Sequence, residues 1–247
     1  MLRKTLVCML ASLVCLTLGA QIRYEWTPVP VDSTWDRIDD PAATLIIEKY
    51  KPQLGCLQEI LGYARDEYSK DRPESPLSDL ASDIIRDVAG KAAGCPVDVG
   101  LINFGGIRTS LPKGAVRVYD IYSIFPFDNS VVYFDIKGSD LRKLVEHMVG
   151  RGRIESMSNV RIVVRDGVLA SLTVSGNPVA DDAVYKFATI NFLMDGGDGL
   201  KLSEAAMNYV DTGIWVRDAI VDYFRENFQG KAAFSLSTDG RVQIFEK

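Results

Sequence analysis

Apolar residues recur along the chain at two spacings, one typical of helices and one typical of strands. Leu80, Ile84 and Val88 follow each other at intervals of four, which is the repeat of one face of an amphipathic helix. Ser75, followed by a proline at the first helical position, suits the N-terminus of this helix, and Gly94 suits its end. The pattern predicts a helix between these two residues.

A second apolar stripe indicates another helix. Its members are Leu141, Leu144, Val145 and Met148. Ser139 is predicted to cap the N-terminus of this helix, because its hydroxyl can accept a hydrogen bond from the first turn. A further helix is predicted for residues 212–228, and residues 41–50 also favour a helix.

Short apolar runs bounded by turn residues predict strands. These runs are residues 57–64, 97–102, 131–136, 160–165, 169–174, 184–190 and 242–245. The predicted strands and helices do not alternate regularly, so a fold built from repeated strand-helix-strand units is disfavoured. The pattern therefore predicts an α+β fold.

The N-terminal residues differ from the rest of the chain. A basic pair precedes an apolar run at residues 5–18, and small residues follow it, which is the pattern of a secretory signal peptide. A membrane anchor is the alternative, but the run is shorter than the roughly 20 residues that a spanning helix needs. We expect a signal peptide at residues 1–20, an N-terminal extension at residues 21–50 and one domain at residues 51–247. The protein would then be periplasmic or secreted, with no stable membrane anchor.

Composition narrows the class of protein. The chain has 247 residues, of which 47% are hydrophobic and 25% charged, as in ordinary globular proteins. The net charge is −5 and the basic residues are scattered, which argues against a nucleic-acid ligand. Removal of the signal peptide would leave Cys56 and Cys95, which either pair in a disulfide or remain two buried free thiols.

Residues suited to hydrolysis are scarce. A dinuclear phosphohydrolase site needs a cluster of metal ligands around its two cations, and the chain has one histidine, His147. Because no metal-binding motif surrounds it, we expect His147 to be a solvated surface residue. The motifs G-x-S-x-G and G-x-x-x-x-G-K-[ST] are also missing from the sequence. The sequence therefore predicts neither catalytic residues nor a metal site.

One loop has residues suited to a polar ligand. Asn103, Gly106 and Arg108 combine an amide, an unhindered backbone and a guanidinium at the end of a predicted strand. A guanidinium in this setting suits an anion. The alternative is a structural turn in which Arg108 is only solvated.

Aromatic and acidic residues in two further loops point to a nucleoside. Phe127 and Phe192 are suited to stacking on a flat base. Asp198, which lies between glycines, is suited to accepting hydrogen bonds from the ribose hydroxyls. The alternatives are phenylalanines buried in the core and an Asp that only stabilises its own turn.

Three segments, taken in order, resemble the 5'-nucleotidase C-terminal domain, which occurs in ecto-5'-nucleotidases and bacterial UDP-sugar hydrolases. They are NFGGIR at residues 103–108, FPFDN at residues 125–129 and NFLMDGGDG at residues 191–199. The resemblance implies a single α+β domain with a mixed sheet. It also implies the following substrate-binding residues: Asn103, Gly106, Arg108, Phe127, Asn129, Phe192 and Asp198.

The resemblance gives most of these residues a role. Phe127 and Phe192 would sandwich the base, and Asn103 would contact it as well. Asp198 would bind the ribose hydroxyls, while Arg108 would lie toward the ribose and the phosphate. The site would therefore recognise a nucleoside or nucleotide.

The sequence departs from the family at other positions. Pro73 stands where the family has an arginine, and Pro76 and Ser78 replace an asparagine and a glycine. A ligand contact from Arg72 is therefore left open. Asp128 replaces a glycine beside the predicted site, and its negative charge is expected to weaken phosphate binding.

Family members usually carry a metallophosphatase domain before this one, and no segment of this sequence resembles it. We therefore expect the nucleotide-binding half of a split 5'-nucleotidase, which is not catalytic alone and binds no cofactor itself. A separately encoded metallophosphatase subunit would supply divalent metals such as Zn²⁺ or Mn²⁺. The alternative is a non-catalytic periplasmic module that binds nucleosides or nucleotides. A scaffold whose site has drifted is a third alternative.

Overall fold

The computed structural model describes residues 24–29 and 40–246. The chain divides into two compact units, Met1–Tyr50 and Lys51–Lys247. The signal peptide predicted for residues 1–20 lies outside the described residues.

The described part of the first unit contains helix α1 (Pro41–Tyr50), which the sequence predicts. The Asp40 carboxylate accepts a hydrogen bond from the backbone of Ala42 at 2.9 Å, which satisfies a donor of the first turn. Throughout the described residues, no helix is long and apolar enough to cross a membrane.

The second unit mixes helices and strands. Its helices are α2 (Pro76–Ala93), α3 (Val118–Ile124), α4 (Gly138–Gly150), α5 (Asn191–Met194), α6 (Leu202–Ala205) and α7 (Val216–Asn227). Its strands are β1 (Ile60–Ala64), β2 (Val99–Ile102), β3 (Gly114–Arg117), β4 (Ser130–Lys137), β5 (Ser156–Ser158), β6 (Val160–Arg165), β7 (Val168–Val174), β8 (Asn177–Pro178), β9 (Val184–Ile190), β10 (Met207–Trp215) and β11 (Val242–Phe245). Short 3-10 helices occur at Lys51–Gln58, Phe104–Gly106 and Gly197–Gly199.

The strands form three sheets. The largest has the order β10-β4-β9-β2-β5, a second has the order β11-β6-β7-β8, and β1 pairs with β3. In the largest sheet β2 is parallel to β9, whereas β4 is antiparallel to β9. The fold is therefore α+β with mixed sheets, as predicted.

This strand order brings the ends of three strands together at one end of the largest sheet. Val131 at the start of β4 pairs with Ile190 at the end of β9. Because β2 runs parallel to β9, its C-terminal end, Ile102, points the same way. The loops after β2, before β4 and after β9 therefore leave the sheet at the same end, as ligand-binding loops of such sheets often do.

Helix α2 covers the largest sheet and contacts β2, β4, β5 and β9. Its Ile84 and Ile85 are fully buried, and within the sheet the rings of Phe134 and Phe187 stack with centroids 5.2 Å apart. Helix α4 packs against β4 and β7, and its predicted apolar stripe is buried. The hydrophobic core therefore lies on the faces that the sequence pattern predicts.

Both predicted ends of α2 are confirmed. The Ser75 side chain accepts a hydrogen bond from the backbone of Ser78 at 3.3 Å, and the Ser78 hydroxyl accepts one from the backbone of Ser75. This reciprocal pair satisfies two donors at the helix N-terminus. Gly94 ends the helix with φ 67°, a left-handed conformation that favours glycine.

The prediction that Ser139 caps α4 is wrong. Helix α4 begins at Gly138, and its first backbone donors, those of Gly138 and Ser139, bond to the carbonyls of Ala183 and Asp181 at 2.8 and 3.0 Å. A distant loop therefore replaces the side-chain cap. Nothing in the local sequence shows that this loop lies there.

The prediction of a helix at residues 212–228 places the start of the helix too early. Thr212 belongs to β10, where its hydroxyl bonds to the carbonyl of Val131 at 2.7 Å, and the helix starts at Val216. Gly213 has φ 69°, which a continuous helix would not allow. Pairing with β4 therefore overrides the local helical pattern.

Gly138→Ala tests the close approach at the start of α4. We expect it to destabilise the protein by about 1–3 kcal/mol, because the added methyl group would overlap the Ala180 carbonyl. At the other end of the helix, Gly150→Ala would meet nothing within 4 Å and serves as the control. Urea unfolding of both variants measures the difference, and equal stability would contradict the packing described.

The segment before β11 is held by backbone hydrogen bonds to Glu74, just before α2. The Glu74 carboxylate accepts backbone hydrogen bonds from Asp239, Gly240 and Val242 at 3.0, 2.8 and 3.2 Å. Asp79, only 3% exposed, lies beside Glu74. Burial first, and then the nearby Glu74 carboxylate, raise the pKa of Asp79 to about 8, despite an opposing effect of a buried arginine. Asp79 therefore keeps its proton at neutral pH.

This raised pKa predicts how stability changes with pH. Between about pH 4 and pH 8 the folded state holds a proton on Asp79 that the unfolded state releases, so the free energy of unfolding falls as the pH rises. Asp79→Asn keeps an uncharged hydrogen-bonding group and should reduce this fall, whereas Asp87→Asn, at an exposed position of the same helix, should not. Urea unfolding at pH 6 and pH 9 makes the comparison, and an undiminished fall in Asp79→Asn would refute it.

Candidate functional site

The three loops at one end of the largest sheet enclose a pocket of about 270 Å³. Its lining comprises Asn103, Gly105, Gly106, Arg108, Phe127, Asn129, Phe192 and Asp198. All seven predicted substrate-binding residues therefore meet in one pocket, together with Gly105. Phe127 and Phe192 are 45% and 44% exposed, so their rings belong to the pocket wall and not to the core.

The loop after β2 is held from below by charged residues. Glu155, which is buried, accepts a hydrogen bond from the backbone of Phe104 at 2.7 Å. Lys70 donates to the carbonyls of Phe104, at 3.2 Å, and Ile107. Glu155 thus provides an acceptor for the Phe104 N–H, and Lys70 joins the carbonyls at the two ends of the turn.

Arg72, whose role the sequence left open, also supports this loop. It donates to both carboxylate oxygens of Glu155 at 2.9 and 3.0 Å and to the carbonyl of Ile154 at 2.6 Å. Its guanidinium lies 4.4 Å from the centroid of the Phe104 ring. Sequence reasoning missed Glu155, because no local motif marks a carboxylate that acts beneath a distant loop.

Two glycines of the site permit close contacts that no other residue would allow. A Cβ at Gly106 would lie 2.8 Å from Asn103 Oδ1, and one at Gly197 would lie 2.6 Å from the Phe192 ring. Asp198 follows with φ 53°, a left-handed conformation that an Asp tolerates better than most residues. The Gly-rich sequence is therefore required for the position of the ring and of the carboxylate.

Asn103 joins two of the three loops. It is 4% exposed, and its Nδ2 donates to Asp198 Oδ2 at 2.6 Å. Gly105 lies over this pair, since an added Cβ would be 3.2 Å from Asn103 Nδ2. The hydrogen bond fixes the Asp198 carboxylate at the wall of the pocket.

Helix α4 supports the Asp198 loop from behind. Arg151, just after the helix, donates to the carbonyl of Asp198 at 2.6 Å, and His147 Nε2 lies 3.2 Å from the carbonyl of Gly199. His147 is exposed, as predicted, but it contacts the loop and is not merely solvated. The basic C-terminal end of α4 therefore faces the carbonyl groups of this loop.

The positive charge of the pocket comes from Arg108. Its guanidinium lies 5.7 Å from the centroid of the Phe127 ring and donates to the carbonyl of Gly105 at 3.4 Å. Burial first, and then the charges of Arg108 and Arg72, lower the pKa of Lys70 below its usual value. This end of the pocket is therefore suited to an anion.

Asp128 does not leave an unbalanced negative charge beside the pocket. Its carboxylate lies 2.6 Å from the guanidinium of Arg217. The same guanidinium lies 5.4 Å from the ring of Trp215 and 5.1 Å from the ring of Tyr122. The repulsion of phosphate expected from Asp128 is therefore offset by a partner that the sequence does not reveal.

The acidic cluster of Glu74, Asp79 and Asp239 does not fit a divalent cation. Its ligand atoms lie within 4.8 Å of one another, but both Glu74 oxygens already accept backbone hydrogen bonds. The Arg241 guanidinium also lies 3.1 Å from Asp239 and 3.7 Å from Asp79. The cluster is therefore a structural anchor for the segment before β11.

The two cysteines of the second unit are free thiols. Cys56 and Cys95 are both exposed, and neither forms a disulfide. The thiols are unpaired, as in one of the two alternatives that the sequence leaves open, but the expectation that they would be buried is wrong.

Comparison with known proteins agrees with this geometry. The family described as 5'-nucleotidase, C-terminal domain, matches residues 55–205, more than half of the chain. Protein UshA of Escherichia coli (strain K12) is 31% identical over 134 residues, which are 53% of this chain and 24% of that protein. The apyrase of Tabanus yao is 24% identical over 258 residues, which cover 91% of this chain and 45% of the apyrase.

Solved structures show the same fold. The 5'-nucleotidase precursor from Thermus thermophilus superposes with a TM-score of 0.72 at 26% identity, over 83% of this chain and 43% of that one. The NAD nucleotidase of Haemophilus influenzae superposes with a TM-score of 0.65 at 18% identity, over 90% of this chain and 47% of that one. The chain thus spans less than half the length of these relatives and structures.

The matched region contains all three loops of the pocket, since it begins before β2 and ends after the Asp198 loop. The mixed α+β fold also agrees with that of the Thermus thermophilus protein. The chain therefore belongs to the 5'-nucleotidase C-terminal domain family.

Proposed function

We propose that this chain is the nucleotide-binding half of a 5'-nucleotidase. The pocket binds the base and ribose of a nucleoside or nucleotide, and a separate metallophosphatase supplies hydrolysis. One observation carries the proposal: two half-exposed phenylalanine rings, a carboxylate and a guanidinium line a single pocket in a nucleotidase-family domain.

The aromatic rings support recognition of a base. Phe127 and Phe192 come from different loops and line the same pocket, so a flat ligand can lie between them. Stacking on one aromatic ring contributes about 1–3 kcal/mol per base and is tolerant of which base is bound. The pocket volume of about 270 Å³ suits a nucleoside better than a longer polymer.

The polar residues support recognition of the sugar and the phosphate. Asp198 Oδ2 is engaged by Asn103, so its Oδ1 accepts a hydrogen bond from a ribose hydroxyl. Arg108, at the edge of the Phe127 ring, pairs with the 5'-phosphate. The Arg217 partner of Asp128 reduces the repulsion that a phosphate would meet there.

The hydrolytic chemistry belongs to the proposed partner. The sequence holds a single histidine, His147, which contacts the carbonyl of Gly199. The acidic cluster around Asp79 already contains the guanidinium of Arg241. A metallophosphatase subunit with Zn²⁺ or Mn²⁺ would supply the hydrolytic centre, and this chain would position the substrate. We propose that both act outside the cytoplasm, since the N-terminal sequence has the pattern of a signal peptide.

Removal of either pocket ring is expected to weaken nucleoside binding. Phe127→Ala and Phe192→Ala should each raise the Kd for adenosine about 5-fold to 100-fold, because each loses the stacking energy of one ring. Tyr119→Ala is the control, since Tyr119 is an exposed aromatic residue that does not line the pocket. Calorimetric titration measures all three, and unchanged affinity in both phenylalanine variants would exclude the proposed sandwich.

The partner is tested by phosphate release from AMP. The purified chain with Mn²⁺ or Zn²⁺ should release no phosphate, whereas the chain together with a metallophosphatase subunit should release it. Phe192→Ala should lower the rate of phosphate release by this mixture. Substantial turnover by the chain alone would contradict the need for a partner. Tight binding of AMP that no metallophosphatase converts to turnover would favour the non-catalytic binding module instead.

A further inference from the structure

The two pocket rings lie on loops that leave neighbouring strands. Phe127 comes three residues before β4, and Phe192 comes two residues after β9. Stacking of a base requires that the rings keep a fixed separation, and each ring is about half exposed. Because about half of each ring is exposed, its position also depends on the backbone that carries it, and so on how the two connections are joined.

The side chain of Asn191 joins the two loops. Asn191 Oδ1 accepts a hydrogen bond from the backbone of Ser130 at 3.2 Å and another from the backbone of Phe192 at 2.9 Å. Ser130 begins β4 directly after the loop that carries Phe127. One carbonyl oxygen therefore connects the backbones next to both rings.

Backbone contacts of neighbouring residues fix this connection on both sides. The Asn191 carbonyl accepts a hydrogen bond from the backbone of Asp195 at 3.0 Å, which starts the Asp198 loop. The Asn129 carbonyl accepts one from the backbone of Val216 at 2.9 Å. Just beyond the Val131–Ile190 pair of the β4–β9 ladder, the Asn191 side chain thus adds a further contact between the two connections.

We infer that Asn191 is a positioning residue, which sets the spacing of Phe127 and Phe192 for the base without contacting the ligand. This inference rests on the proposed function of the pocket. The requirement is for an acceptor: an Asp side chain places a carboxylate oxygen where the amide oxygen was, whereas a Leu side chain of similar size leaves two backbone donors without a partner.

The test is the affinity for adenosine, an uncharged ligand, so that the added charge of an Asp variant has little direct effect. Asn191→Leu should raise the Kd about tenfold, a part of the stacking energy of the two rings. Asn191→Asp should remain within about twofold of wild type, because both hydrogen bonds are restored. A general loss of stability would not be rescued selectively in this way.

Asn177→Leu is the matched control, since Asn177 is an exposed residue at the start of β8 and does not line the pocket. It should bind adenosine as wild type does. Thermal unfolding checks that each variant folds, and Asn191→Ala replaces Asn191→Leu if the latter does not. Wild-type affinity in the Leu or Ala variant, or an equal loss in Asn191→Asp, would overturn the inference. Failure of the wild-type chain to bind adenosine would instead overturn the proposed function.

Discussion

The pairing of β4 with β9 and of β9 with β2 is the constraint on which the pocket depends. Because β4 is antiparallel to β9 and β2 is parallel to it, the end of β2, the start of β4 and the end of β9 meet. Every residue of the pocket lies in one of the connections, some of which contain short helical turns, that leave the sheet at this point. A one-residue shift of β4 against β9 would move its ring-bearing loop and turn its buried residues outward.

The loops are then held by polar contacts that come from other parts of the chain. Glu155 and Arg72 support the loop after β2, Arg151 supports the Asp198 loop, and the hydrogen bond between Asn103 and Asp198 joins them. Such preformed sites lose little conformational entropy on binding, because their side chains are already fixed. The exposed rings provide the apolar contact area, and the buried polar network determines where that area lies.

The sequence predicts the pocket better than it predicts the elements around it. The residues of the site form recognisable local motifs, because glycines are required where the Phe192 and Asn103 side chains pack against the backbone. Both ends of helix α2 are also predicted correctly, because Ser75 and Gly94 cap the helix through contacts with residues close to them in the sequence. These features are local, and a single sequence records them.

The errors have one physical cause, which is a partner distant in the chain. The N-terminus of α4 bonds to carbonyls of residues 181 and 183, so Ser139 is not needed as a cap. Thr212 extends along β4, so the helix starts later than its apolar pattern indicates. Asp128 forms an ion pair with Arg217, and Arg72 forms one with Glu155. No spacing rule in the sequence relates the members of either pair.

The central claim is that a nucleoside base lies between Phe127 and Phe192. The most direct measurement is a crystal structure of the chain with adenosine bound. The purine is expected between the two rings, with the ribose hydroxyls within hydrogen-bond distance of Asp198. Adenosine bound elsewhere, with this pocket empty at saturating ligand, would contradict it.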